Sequence, residues 1–159
     1  KNEYFLIADA DTVFCRPQVF IHQNKVILPV CNQLCHIPYY TAYKKLTGEE
    51  ALPLLNFTSH HSLFQKSKLK ELKQEIKKHT KQEWHKAIIS TTKINPGEGS
   101  CVSDYETYAQ YLYSKYPSEC RLEHWFNLSL SRKNLPNIKK IIKKYPKKYK
   151  AISFHDYKK

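Results

Sequence analysis

The stretch Tyr4-Phe5-Leu6-Ile7-Ala8-Asp9-Ala10-Asp11-Thr12-Val13-Phe14 decides how the chain is read. Five apolar residues without alternation predict a short strand buried on both faces, as in a parallel sheet. The run ends in two carboxylates one residue apart. Thr12–Phe14 then resumes as a second short strand before Arg16-Pro17. In open α/β sheets, ligands bind beyond the carboxyl ends of the strands. Asp9 and Asp11 stand at such a place. Paired carboxylates there suit a hard divalent cation, Mg2+ or Mn2+, which takes oxygens from one or two carboxylates and from substrate phosphates. The plainer alternative is that one Asp caps a turn and the other is solvated.

Outward from this stretch, strands and helices alternate. Val19–His22 and Val26–Val30 flank Gln23-Asn24-Lys25, a hairpin pattern. Pro38 to Tyr43 reads as a tyrosine-rich loop or short helix. Phe57-Thr58-Ser59-His60-His61-Ser62 leads into a helix with Leu69, Leu72 and Ile76 on one face. Thr80 with Glu83, and Ser103 with Glu106, each match a capping box. The first predicts a helix through Trp84, Ala87 and Ile88. The second predicts one with Tyr105, Tyr108, Ala109 and Leu112 on a single face. Between them, Asn95-Pro96-Gly97-Glu98-Gly99-Ser100 is a loop. Asn134-Leu135-Pro136 opens a helix with Ile138, Ile141 and Ile142 inward. Ala151–Phe154 is a final strand, ending at His155-Asp156. The pattern predicts a single α/β domain over residues 1–159, a mixed sheet flanked by helices.

Composition narrows the classes. With 159 residues, 41% hydrophobic and 26% charged, the chain is neither a disordered tail nor a low-complexity linker. No uncharged run approaches the ~20 residues of a membrane span. The formal net charge of +13 favours polyanionic partners. Eleven basic residues and one acid lie between Arg132 and Lys159. That segment reads as a solvated face first, and as a grip on an anionic membrane surface second. Nucleic acid ranks third, because no recognition-helix, zinc-finger or RNP-like motif is present. The five cysteines are odd in number, and the Cys31/Cys35 pair has no second pair to complete a zinc site. They read as reduced thiols in a cytoplasmic setting. The sequence contains no methionine and opens at Lys1, close to the first strand. The expectation is an internal or C-terminal piece of a longer protein.

The 4–14 stretch resembles the DxD segment of GT-A-fold glycosyltransferases. More narrowly, the order of segments resembles a poorly characterised bacterial family of glycosyltransferase-like proteins. The matching pieces are the DxD strand, Phe57–Phe64 with Ser59, His60 and His61, the Trp84 helix, and Ser103-Asp104-Tyr105-Glu106-Thr107-Tyr108. They span residues 4 to about 113. The resemblance implies a GT-A-like mixed sheet whose N-terminal, base-binding strands lie upstream of this chain. It implies transfer of a sugar from a UDP- or GDP-linked donor to a glycan or lipid-linked hydroxyl, assisted by Mn2+ or Mg2+, in polysaccharide biosynthesis. Asp11 would be the direct metal ligand, and Asp9 would touch the ribose or a metal-bound water. His155 would be the later metal ligand, with Asp156 its rival. The implied station is cytoplasmic, with a peripheral position at the inner face of the membrane.

Chemistry then suggests further roles. Inverting transfer needs a carboxylate to take the acceptor's hydroxyl proton. Asp104, at a helix N-terminus, is the candidate, while Glu106 is set to cap. His60 and His61, at a predicted helix entrance, are candidates to meet donor phosphate or sugar.

Two other readings stand beside this one. Asp9-Ala10-Asp11-Thr12-Val13 also fits the pattern of haloacid-dehalogenase-like phosphatases, with Asp9 as nucleophile and Asp11 as acid/base. The later Gly-Asp-x-x-x-Asp metal pair of that family is missing, so the phosphatase ranks behind the transferase. The basic C-terminal helix alone suggests a non-enzymatic membrane- or nucleic-acid-binding module.

Overall fold

The computed structural model describes residues 2–31, 34–92, 100–145 and 147–155. The apolar run forms β1 (Tyr4–Ala8). Asp9 to Asp11 turns it into β2 (Thr12–Phe14), with the Asp9 carbonyl accepting from Thr12 N–H at 3.0 Å. There follow β3 (Ile21–His22), β4 (Lys25–Val30), α1 (Ile37–Thr47), β5 (His61–Gln65), α2 (Lys66–Thr80) and α3 (Trp84–Thr91). The chain continues through α4 (Asp104–Lys115), β6 (Cys120–His124), β7 (Asn127–Ser131), a 3-10 segment Arg132–Asn137, α5 (Ile138–Lys144) and β8 (Ala151–His155). The result is an α/β fold of mixed sheets flanked by helices. The sheet orders are β1-β5, β2-β8-β7 and β3-β4-β6. β4 with β6 and β7 with β8 are parallel, and the other pairs are antiparallel.

The β3–β4 hairpin forms as its sequence predicts. Gln23 and Asn24 have φ of 49° and 62°, the two left-handed residues of a tight two-residue turn. The tyrosine-rich segment is a full helix, α1. Pro38 sits in its first turn, where a missing N–H costs nothing, and Tyr43 and Leu46 are fully buried. Gly48 ends α1 at φ 79°, and a Cβ there would come within 2.7 Å of the His79 ring.

Three local expectations are corrected. β1 is not a doubly buried parallel strand. Among the described residues it pairs only with β5, antiparallel, with Leu6 opposite Leu63, and Leu6 stays 40% exposed. An apolar run reports preference for burial, but the neighbours that supply it come from elsewhere in the chain. Second, residues 61–65 are a strand before the helix rather than its entrance. Pairing with β1 outweighs the local signal, and α2 begins at Lys66 with no cap from the Gln65 side chain; the Glu3 carboxylate accepts the Ser67 N–H instead, at 2.9 Å. Third, α3 forms without the Thr80–Glu83 box. The Thr80 hydroxyl donates instead to the Ile76 carbonyl at 2.7 Å. The 95–99 part of the predicted loop, and Asp156, lie outside the described residues.

The main core gathers Leu28, Tyr43, Leu46, Phe57, Tyr108 and Leu112 between the strands and α1, α2 and α4. A smaller core joins Cys15, Ile152 and Phe154 to Ile138, Ile141 and Ile142, so the apolar face of α5 packs inward as its spacing predicts. None of the five cysteines is in a disulfide. No helix among the described residues is long and apolar enough to cross a membrane.

Candidate functional site

The β1–β2 turn, the loop before β5, the start of α4 and the end of β8 meet around a polar cavity of about 620 Å3. Asp9, Asp11, His60, Asp104, Arg132 and His155 all line it. His155 reaches it because β8 pairs with β2. The pairing sets Thr12 opposite Ser153, and Phe154 N–H donates to the Asp11 carbonyl at 2.9 Å. The ladder therefore carries the end of β8 to Asp11. The Asp11 Oδ2 and His155 Nδ1 atoms are 3.3 Å apart.

Asp9 is held more tightly. Its Oδ2 lies 3.0 Å from His60 Nδ1, and its Oδ1 accepts from the Tyr105 hydroxyl at 2.7 Å. His60 also takes the Asp9 N–H on its own carbonyl, at 2.9 Å. It does so from a left-handed backbone at φ 64°, a conformation that costs free energy in a non-glycine residue. Burial and the neighbouring Asp9 carboxylate both push the Tyr105 phenol upward, so it stays a proton donor to Asp9. The two imidazoles, His60 and His155, lie side by side with centroids 5.0 Å apart. The site is thus two adjacent carboxylate–imidazole pairs in a cavity that Arg132 also lines.

Asp104 lines the cavity from the first turn of α4, and its Oδ1 accepts the Tyr105 N–H at 3.0 Å. Ser103 caps the helix, accepting the Glu106 N–H at 3.2 Å. Glu106 does not complete the capping box. It is 1% exposed, and its carboxylate accepts from Phe57 N–H and Gln110 Nε2, each at 2.8 Å, and from the Thr58 hydroxyl at 3.3 Å. Burial raises its pKa despite those bonds. Glu106 therefore ties α4 to the loop that presents Thr58 and His60.

His61 turns elsewhere. Its ring is 1% exposed and packs against Trp125 (4.2 Å), Phe14 and Phe20. It does not line the cavity, because alternate residues of a strand face opposite ways and His61 begins β5. Its Nδ1 donates to the Ser59 carbonyl at 2.9 Å, and its Nε2 has no hydrogen-bond partner among the described residues. Burial pushes the imidazole pKa down to about 4.

The geometry brings together Asp9, Asp11, His60, His155 and Asp104, and sets His61 apart. Sequence reasoning missed Tyr105 and Arg132. Tyr105 sits on the apolar face of α4 and reads as core, and Arg132 is hidden in a basic run. A Tyr directly after a candidate Asp was the available signal for the first; Arg132 had none.

Among the described residues, no group of three or more His, Cys, Asp or Glu side chains is arranged to hold a metal ion. The 3.3 Å between Asp11 Oδ2 and His155 Nδ1 is nonetheless close to the ~3.0 Å between neighbouring ligands on an octahedral ion with bonds of ~2.1 Å. Ions such as Mg2+ commonly take only one or two protein ligands beside substrate phosphates. Asp11 and His155 would supply two such ligands, one oxygen and one nitrogen.

A family model described as a family of unknown function (DUF6492) matches residues 1–144. The match takes in Asp9, Asp11, His60, Asp104 and Arg132, and stops before β8. No curated protein matches the chain. With most of its length matched, the chain belongs to the DUF6492 family.

Proposed function

We propose that the chain is the metal-assisted catalytic part of a GT-A-like glycosyltransferase, moving a sugar from a UDP- or GDP-linked donor to a hydroxyl of a glycan or lipid-linked acceptor. The observation that carries this reading is the meeting of Asp11 and His155 beside Asp9 in the polar cavity. Asp11 Oδ2 and His155 Nδ1 would hold Mn2+ or Mg2+. When bound, the ion supplies Lewis-acid stabilisation of the departing diphosphate. Asp9, fixed by Tyr105 and His60, is placed to orient the donor from the side. Arg132 offers a second positive charge to the phosphates, and a planar guanidinium matches their oxygens in pairs. Asp104 acts as base. The acceptor oxygen bonds to the anomeric carbon as the carbon–oxygen bond to the diphosphate breaks. The electron pair leaves with the diphosphate, and the hydroxyl proton passes to Asp104.

The phosphatase reading fares worse. Asp9 would be its nucleophile, yet both Asp9 oxygens are engaged, by Tyr105 and His60. In the transferase reading, the exposed apolar β1 suits the edge on which upstream strands of a GT-A sheet would pair. The proposed station is the cytoplasmic face of the membrane, where the lysines of α5 meet anionic lipid.

The test is nucleoside diphosphate release from a panel of UDP- and GDP-sugars, with and without Mn2+. The expected result is metal-dependent release that falls by about a hundredfold or more in Asp104→Asn. Release that is unaffected by Asp11→Ala contradicts the reading. So does hydrolysis of a simple phosphate ester that depends on Asp9.

A further inference from the structure

A second cleft, of about 330 Å3, shares no lining residue with the Asp9 cavity. Three cations converge on it from separate parts of the chain: Arg16 after β2, Arg121 on β6, and Lys150 just before β8. Glu123 also lines the cleft, but it is already ion-paired with Lys150. Neither arginine has a carboxylate partner among the described residues. Two arginines without a carboxylate therefore stand beside one closed Lys150–Glu123 pair. Like charges gathered this way raise one another's energy unless an anion joins them. The Lys150 side chain is 14% exposed and lies over the Trp125 ring at 4.7 Å. Burial, then Arg16 and Arg121, push its pKa down.

Hydrogen-bond polarity points the same way. Arg121 can only donate, and its Nη1 lies 3.0 Å from His22 Nδ1. That nitrogen therefore accepts, and the ring hydrogen sits on Nε2. Gln18 donates through its side-chain amide to the Arg16 carbonyl at 2.9 Å, which fixes the loop that carries Arg16. The cleft is rich in donors, and its acid is already paired.

We propose that this cleft binds a phosphate group, with Arg16 and Arg121 as its charged arms, Lys150 at its back and His22 Nε2–H as a further donor. Arginines are suited to this because each offers two parallel N–H groups to a pair of phosphate oxygens. The site does not depend on the transferase reading and can fail or succeed alone.

The experiment is titration of the protein with inorganic phosphate, followed through the NMR signals of the His22 ring and the arginine side chains. The expected result is a saturable shift, with affinity about tenfold weaker in Arg16→Gln and in Arg121→Gln. Both arginines are exposed, so the variants leave the core intact. Lys78→Gln, which removes one exposed positive charge on α2, away from the cleft, should bind phosphate as the parent does. No saturable shift, or equal weakening in Lys78→Gln, overturns the proposal. Glycerol phosphate and phosphatidate vesicles then distinguish the source. Binding of the soluble ester alone indicates a free phosphate ester. Binding of both, weakened together in Arg121→Gln, indicates a lipid headgroup. Either pattern supports the site.

Discussion

Asp9 and His61 show how much a single side chain can reveal here. Asp9 is held at both oxygens, so each partner should be felt at the cavity. Tyr105→Phe removes one neutral donor to a carboxylate. Its expected cost to stability is about 1–2 kcal/mol by urea denaturation. Metal-dependent nucleotide affinity should fall with it, by calorimetry. His61 makes a separate prediction about pH. It is neutral and buried in the fold, with a pKa near 4, against ~6.5 in the unfolded chain. Above pH 6.5 neither state binds the proton, and stability is unaffected. Between about pH 6.5 and 4 the unfolded state binds it first, so stability is lost as pH falls, by up to about 3 kcal/mol. Urea denaturation at pH 7 and pH 4.5 measures that slope. His61→Asn, which keeps a donor for the Ser59 carbonyl, should flatten it whatever its effect on total stability.

Among the elements, α4 bears most on the site. It presents Asp104 to the cavity and Tyr105 to Asp9, and Glu106 anchors the loop of His60. The two acids of its first turn therefore do different work, and the variants should separate. Ser103→Ala removes a cap, for about 1 kcal/mol. Glu106→Ala leaves the Phe57 N–H without its acceptor in the interior and takes one of two acceptors from the Gln110 amide, which keeps the Leu55 carbonyl, for about 2–3 kcal/mol. Asp104→Asn should leave thermal stability almost unchanged while abolishing transfer. The helix itself was legible, because its start is written locally in Ser103 and its face in Tyr108, Ala109 and Leu112. The second half of the capping box was not, because Glu106 is drawn to Phe57 by a contact across the chain. The same reason explains β5. Residues 61–65 carry no strong local strand signal and become a strand by pairing with β1.

At the scale of the whole molecule, the lysines of α5 lie outside the lining of the candidate site. The lysines of α5 are displayed outward because Ile138, Ile141 and Ile142 are taken up by the smaller core. Any grip on an anionic surface through α5 is then electrostatic rather than insertion of its apolar face. Binding to anionic vesicles should weaken steeply as salt rises, and should persist in Asp9→Asn and Asp11→Asn. If those carboxylates prove irrelevant to every activity while charge alone matters, the non-enzymatic module is the better account. Site legibility followed the same division. Asp9 and Asp11 stood out because two acids closing an apolar run are chemically unusual. His155 was reachable because it ends a strand. Arg132 was lost in a run of similar charges, and Tyr105 looked like core until the fold brought it to Asp9.

The most direct measurement is calorimetric titration of Mn2+ with UDP, and then with GDP, into the protein and into Asp11→Ala and His155→Ala. The account predicts nucleotide binding that requires Mn2+, is lost in Asp11→Ala and is weakened in His155→Ala. Nucleotide binding that is indifferent to Mn2+ and to both substitutions would contradict it.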